Sequence, residues 1–103
     1  MIFHLAARAE WEDAQRSGRY ERSTAGRSLE EEGFIHCADE DQVAGVAGAY
    51  VAGRSDLVLL AIDPAKLTSP LRRERPSGSD QAFPHVYGPL NVDAVVEVRP
   101  FRA

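Results

Sequence analysis

Asp56-Leu57-Val58-Leu59-Leu60-Ala61-Ile62-Asp63-Pro64 carries an uninterrupted apolar run, Leu57 to Ile62, between two aspartates. A run of this length with no polar alternation, closed by Asp-Pro, reads as a strand covered on both faces and therefore as the centre of a sheet. Beyond it, Asp63 is placed to cap a single turn with Pro64 at its first position, ending near Leu67.

Working upstream, Asp39 and Gln42 have the spacing of a helix start. Val43, Val46, Ala47, Tyr50 and Val51 follow at helical intervals, with Gly53 as terminator. Gly45 and Gly48 cost about 1 kcal/mol each relative to Ala inside this helix, which close approach to a sheet would explain. Gly33 to Cys37 reads as a strand, delivered by one helical turn whose start is marked by Ser28 and Glu31. Residues 19–27 are polar and aperiodic and read as loop, with a short extended piece around Tyr20. The chain opens with a strand, Ile2 to Leu5. An amphipathic helix follows, bearing Ala7, Trp11 and Ala14 on one face, a Glu12–Arg16 pair at i, i+4 and a stop at Gly18.

Downstream, the chain is punctuated by proline. Leu71 to Arg75 reads as an edge strand, Pro76 to Ala82 as a polar loop, and Phe83 to Pro89 as an extended segment with a turn at Tyr87-Gly88-Pro89. Val95, Val96 and Val98 make a last strand, closed by Pro100. Two helices come early and the late strands lack crossover helices. The expected fold is therefore α+β, a small mixed or antiparallel sheet with two main helices in one domain spanning residues 1–103.

An apolar content of 44% and a charged content of 27% are globular values. The net charge of −4 disfavours bulk binding to nucleic acid or to an anionic membrane, and no run approaches the length of a membrane span. A single cysteine, Cys37, and the lack of a signal-like start lead to the expectation of a cytoplasmic protein. Walker A, dinucleotide-binding Gly-rich, Cys-x-x-Cys and His-Glu-x-x-His patterns are all missing.

What remains as chemistry is three histidines on or beside strands: Phe3-His4-Leu5, Ile35-His36-Cys37 and Pro84-His85-Val86. A neutral imidazole both donates and accepts a hydrogen bond, which suits a ribose hydroxyl or a carbonyl. His4 and His36 are candidate substrate-binding residues. His85 is the candidate catalytic residue, with Glu74 as the best-placed carboxylate and Tyr87 offering a ring face or hydroxyl. Three imidazoles could also hold a catalytic metal, although no His-x-His pair supports that. Cys37 neighbours His36 on a strand, so the two point to opposite faces, and Cys37 reads as a buried structural thiol.

Four segments carry a family resemblance: Ile2-Phe3-His4 with Glu10-Trp11, Glu32-Gly33-Phe34-Ile35-His36-Cys37-Ala38, Asp56 to Asp63, and Phe83-Pro84-His85-Val86-Tyr87-Gly88-Pro89-Leu90. As a set, covering nearly the whole chain, they resemble the bacterial domain-of-unknown-function family 952. That pattern in turn looks like a reduced ADP-ribosyltransferase fold. The resemblance implies that His4, at the first strand, contacts an NAD ribose, and that Ile35-His36-Cys37-Ala38 matches the His-Val-His-Leu-Ser segment of RNA 2′-phosphotransferases. Ala6 and Ala38 stand where related sequences often carry a hydroxyl, and the late catalytic Glu of many transferases has no match here, which leaves Glu74 or His85 as candidates for its role.

The leading expectation is a nucleotide-binding, NAD-dependent transferase in which NAD is substrate rather than resident cofactor. A non-catalytic small-ligand or interaction module is the alternative, followed by a three-histidine metal hydrolase. Oligomeric state is left open by the sequence.

Overall fold

A computed structural model of the chain describes residues 1–102, apart from the side chain of Tyr50, so that apolar position of the second helix lies outside the described residues. In chain order the strands are β1 (Ile2–Ala7), β2 (Arg19–Tyr20), β3 (Arg22–Thr24), β4 (Arg27–Ser28), β5 (Ile35–His36), β6 (Leu57–Ile62), β7 (Leu71–Glu74), β8 (Phe83–Val86), β9 (Leu90–Asn91) and β10 (Val95–Phe101). The helices are α1 (Arg8–Ser17), α2 (Leu29–Glu32) and α3 (Val43–Tyr50).

The apolar run is the middle strand of a sheet ordered β1-β6-β10, and all six of its residues are buried. Its side chains alternate between two cores, which explains why no polar residue interrupts it. Val58, Leu60 and Ile62 pack with Trp11 and Ala14 of α1, whereas Leu57, Leu59 and Ala61 pack with Val43 and Ala47 of α3. A second sheet is ordered β5-β8-β7. The two are stitched by a bridge in which Phe3 and Ala38 exchange backbone hydrogen bonds at 2.8 Å in each direction. Every strand pair in both sheets is antiparallel, one of the two arrangements expected.

The local start signals hold, whereas α3 stops at Tyr50 with Val51 rather than Gly53 as its C-cap. Ser28 and Glu31 form a reciprocal capping box ahead of α2, Asp39 and Gln42 form another ahead of α3, and Asp63 accepts from Ala65 N–H at 3.0 Å with Pro64 beginning a 3-10 turn. Gly33 closes α2 in the left-handed region at φ +88°, which turns the chain directly into Phe34 and β5.

Several further details differ from the sequence reading. In residues 19–27 the extended piece expected around Tyr20 is β2, but the rest is not loop: it holds the β3–β4 hairpin and its turn, too short and too polar to show a period. The expected strand Gly33–Cys37 is confined to Ile35–His36, because Gly33 is spent on the helix cap. Arg16 pairs with Asp13 at i, i+3 rather than with Glu12. Gly45 and Gly48 meet open space rather than a sheet, since a Cβ on either would have no neighbour within 4 Å. Pro100 does not end β10 but lies inside it opposite Val58, tolerated because β10 is an edge strand.

Candidate functional site

His36 and His85 are directly opposite one another in the β5–β8 pair, so both rings leave the same face of the second sheet. Their centroids are 5.6 Å apart in an edge-to-face arrangement. Phe34, placed by the Gly33 turn, stacks on His85 at 4.1 Å and lies 4.6 Å from His36. Its backbone is held from below: the buried Ser23 hydroxyl in β3 donates to Phe34 C=O.

β7 is the other neighbour of β8, and Glu74 at its end reaches His85. His85 Nδ1 lies 2.7 Å from Glu74 Oε1, and the Tyr87 hydroxyl donates to the same oxygen. These two bonds hold the Glu74 carboxyl below its usual range, Tyr87 being the larger cause, and the same contact raises Tyr87. A carboxylate accepts only, so Nδ1 of His85 carries the hydrogen of this bond. The guanidinium of Arg72 sits 5.3 Å over the Tyr87 ring. On the other side, His36 Nε2 donates to Glu32 Oε1 at 3.4 Å. Burial lowers the affinity of His36 for a proton, an effect opposed by Glu32 and supported by His85, so the ring is neutral near neutral pH.

His4 lies on β1 and its side chain is spoken for within the protein. Nδ1 donates to His36 C=O, and Nε2 accepts from the Tyr20 hydroxyl at 2.8 Å. Full burial depresses its pKa to about 4, and the same cause keeps the Tyr20 hydroxyl protonated. His4 therefore grips the main chain at His36 through an imidazole that stays neutral.

These residues surround a cleft of about 560 Å³, in the size range of small-molecule sites. Its wall includes all three histidines together with Glu32, Glu74 and Phe34. Val46 and Val51 of the α3 region supply an apolar side, and Arg27 and Arg75 add cationic groups. Cys37 borders the same cleft but packs in the buried core with Ile35, two residues back, in keeping with the opposite-face reading. The thiol is buried and pushed up to about 12, so it is no nucleophile.

The cleft thus gathers His4, His36, His85 and Glu74, while Tyr87 acts on Glu74 and, among the described residues, is not part of the cleft wall. Glu32, Phe34 and Tyr20 were not singled out as site residues. The first two sit in the same segment as His36, and Tyr20 was an isolated aromatic in a polar stretch, the one local sign that it packs inward. Among the described residues no three His, Cys, Asp or Glu side chains are grouped as metal ligands. With both His4 nitrogens occupied, the three-histidine metal centre lacks one of its ligands.

A family model described as "Protein of unknown function (DUF952)" matches residues 5–98, most of the chain. The chain belongs to the DUF952 family. This DUF952 chain is similar to the crystal structure of protein CC0527 from Caulobacter crescentus, with a TM-score of 0.83 and 34% identity over 96% of this chain and 83% of that one. It is likewise similar to the solution NMR structure of CC0527, with a TM-score of 0.80 and 33% identity over 98% of this chain and 84% of the other. No curated protein is matched. The DUF952 chain has no helix, among its described residues, long and apolar enough to cross a membrane.

Proposed function

We propose that the cleft binds NAD or a closely related nucleotide and that the protein is a group transferase of the ADP-ribosyltransferase or RNA 2′-phosphotransferase type. The observation that carries this reading is the Glu74 carboxylate, held on one oxygen by His85 and Tyr87 at the wall of a cleft of nucleotide size. An ionised carboxylate fixed before substrate arrives is what a developing ribosyl cation requires, because its dipolar partners need not reorganise during the reaction.

In this reading the bond from nicotinamide to ribose C1′ breaks, its electron pair leaves with nicotinamide, and Glu74 stabilises the positive charge on the ribose. An acceptor hydroxyl attacks C1′ and passes its proton to Nε2 of His85, whose Nδ1–H is anchored on Glu74. Neutral His36 bonds a ribose or amide group, Phe34 supplies a ring face, and Arg27 and Arg75 counter phosphate charge. His4 contributes to the wall of the cleft and fixes the carbonyl of His36.

Calorimetric titration with NAD, ADP-ribose and a 2′-phosphorylated RNA tests the proposal. Saturable binding of one of them, weakened by His36→Ala, with nicotinamide release abolished in Glu74→Gln, is expected. Binding without turnover would leave the non-catalytic module, and no binding of any of the three would overturn the reading.

A further inference from the structure

The outer edge of β10 carries a self-complementary pattern. Phe3 spends its backbone groups on Ala38, on the side of β1 facing away from β6, so the β1–β6 pairs that exchange hydrogen bonds are those of Ile2, His4 and Ala6. Their partners Val58, Leu60 and Ile62 therefore face β1, and Leu57, Leu59 and Ala61 face β10, opposite Phe101, Arg99 and Glu97. It follows that Val98 and Pro100 turn their backbone groups outward, where no strand pairs with them among the described residues.

The side chains divide in the same way. Val98 and Pro100 lie on the α1 face of the sheet, while Glu97 and Arg99 lie on the α3 face and pair at 3.3 Å. Val96 and Val98 are 44% and 42% exposed, and with Met1 they are the large apolar side chains left open to solvent among the described residues. Between the register shift at Val95/Glu97 and Pro100, the N–H and C=O of Val98 form an open template for another strand.

We propose that two copies of this chain associate through antiparallel pairing of β10 about a two-fold axis at Val98. In that register Val98 exchanges two backbone bonds with Val98 of the second copy, and Val96 lies opposite Pro100. On the other face Glu97 lies opposite Arg99 twice, so each charge has opposite charges beside and across from it. The neighbouring registers lack this match, and centring on Val96 would set the register shift of β10 at the axis. Centring on Glu97 or Arg99 sets like charges opposite each other, and centring on Pro100 opposes two residues that lack an N–H. The surface is isologous, as a closed dimer requires. The cleft plays no part in this argument, so the dimer stands or falls independently of the nucleotide reading.

Sedimentation velocity of the purified chain over a wide concentration range tests the proposal, with thermal melts as a check on folding. A reversible monomer–dimer equilibrium is expected. Arg99→Glu replaces two attractive cross-strand pairs with two repulsive ones and raises the dissociation constant by about tenfold or more. The double variant Glu97→Arg with Arg99→Glu restores the attraction and returns the constant toward that of the parent. A chain that is monomeric throughout, a dimer indifferent to Arg99→Glu, or a charge swap that fails to restore association would each overturn the proposal. Should Arg99→Glu fold poorly, Glu97→Arg sets Arg opposite Arg twice in the same register and takes its place as the disrupting variant.

Discussion

His85 and Glu74 are joined by a 2.7 Å hydrogen bond from Nδ1 to Oε1, across the β8–β7 pair. Tyr87 donates to the same oxygen, so one carboxylate oxygen sets the tautomer of the imidazole and takes a phenol as well. A glutamate that orients a histidine and remains ionised is the most chemically informative relationship in the molecule.

Tyr87→Phe removes the larger of the two bonds that depress the Glu74 carboxyl. Its pKa is expected to rise toward the ordinary glutamate range, while His85→Gln gives a smaller rise. Carboxyl-carbon NMR titration of the two variants reads this directly, and a Glu74 that titrates identically in parent and Tyr87→Phe would contradict the geometry.

If the proposed transferase reading holds, Glu74→Gln is expected to reduce turnover by roughly 100-fold or more, the scale on which removal of a preorganised charge-stabilising group acts. Its thermal midpoint should stay close to the parent's, because the side chain is 39% exposed. A large loss of stability with proportionate loss of turnover would instead make Glu74 a structural residue.

Stability should fall with acid in a defined window. His4 has a folded pKa of about 4 against an ordinary 6.5, so between these values the unfolded chain binds a proton that the folded chain does not. The contribution is complete above the unfolded value and is lost as pH falls toward the folded one, roughly 3 kcal/mol in all. His36, lowered in the same direction, adds to the same slope. Urea unfolding at about pH 7 and about pH 4.5 should show it, with a shallower difference in His4→Gln. An unchanged slope in that variant would remove His4 as its source.

Tyr20→Phe leaves Nε2 of His4 buried without its donor and is expected to destabilise by about 1–3 kcal/mol. Equilibrium denaturation measures the cost. A neutral result would show that the pair contributes nothing net.

Gly45→Ala and Gly48→Ala should each stabilise the fold by about 0.5–1 kcal/mol, since both sites lie in α3 with space for a Cβ and both replacements reduce the entropy of the unfolded chain. A rise in the urea midpoint is the expected signature. Destabilisation would imply a neighbour at that helix face.

The features legible in the residues themselves are those whose physics is short-range. Two capping boxes, the Asp63-Pro64 turn and the doubly buried run of β6 follow from contacts within a few positions, or from a burial pattern written along one strand. Glu74 was legible as the carboxylate shortly before His85, although the bond that joins them spans eleven residues and depends on the β7–β8 pairing. The β3–β4 hairpin was illegible because its strands are too short to show alternation and its stability comes from docking, with Ser23 bonded to Phe34 eleven residues on.

The sequence by itself determined the two main helices, the apolar core strand and which side chains could do chemistry. Only the tertiary structure decided that His36 and His85 lie opposite one another, that His4 turns both nitrogens to Tyr20 and to the His36 carbonyl, and that Cys37 joins the cleft wall. The physical reason is range: an imidazole's partner is chosen by strand register and packing between segments 16 to 32 residues apart, and no local pattern encodes that choice.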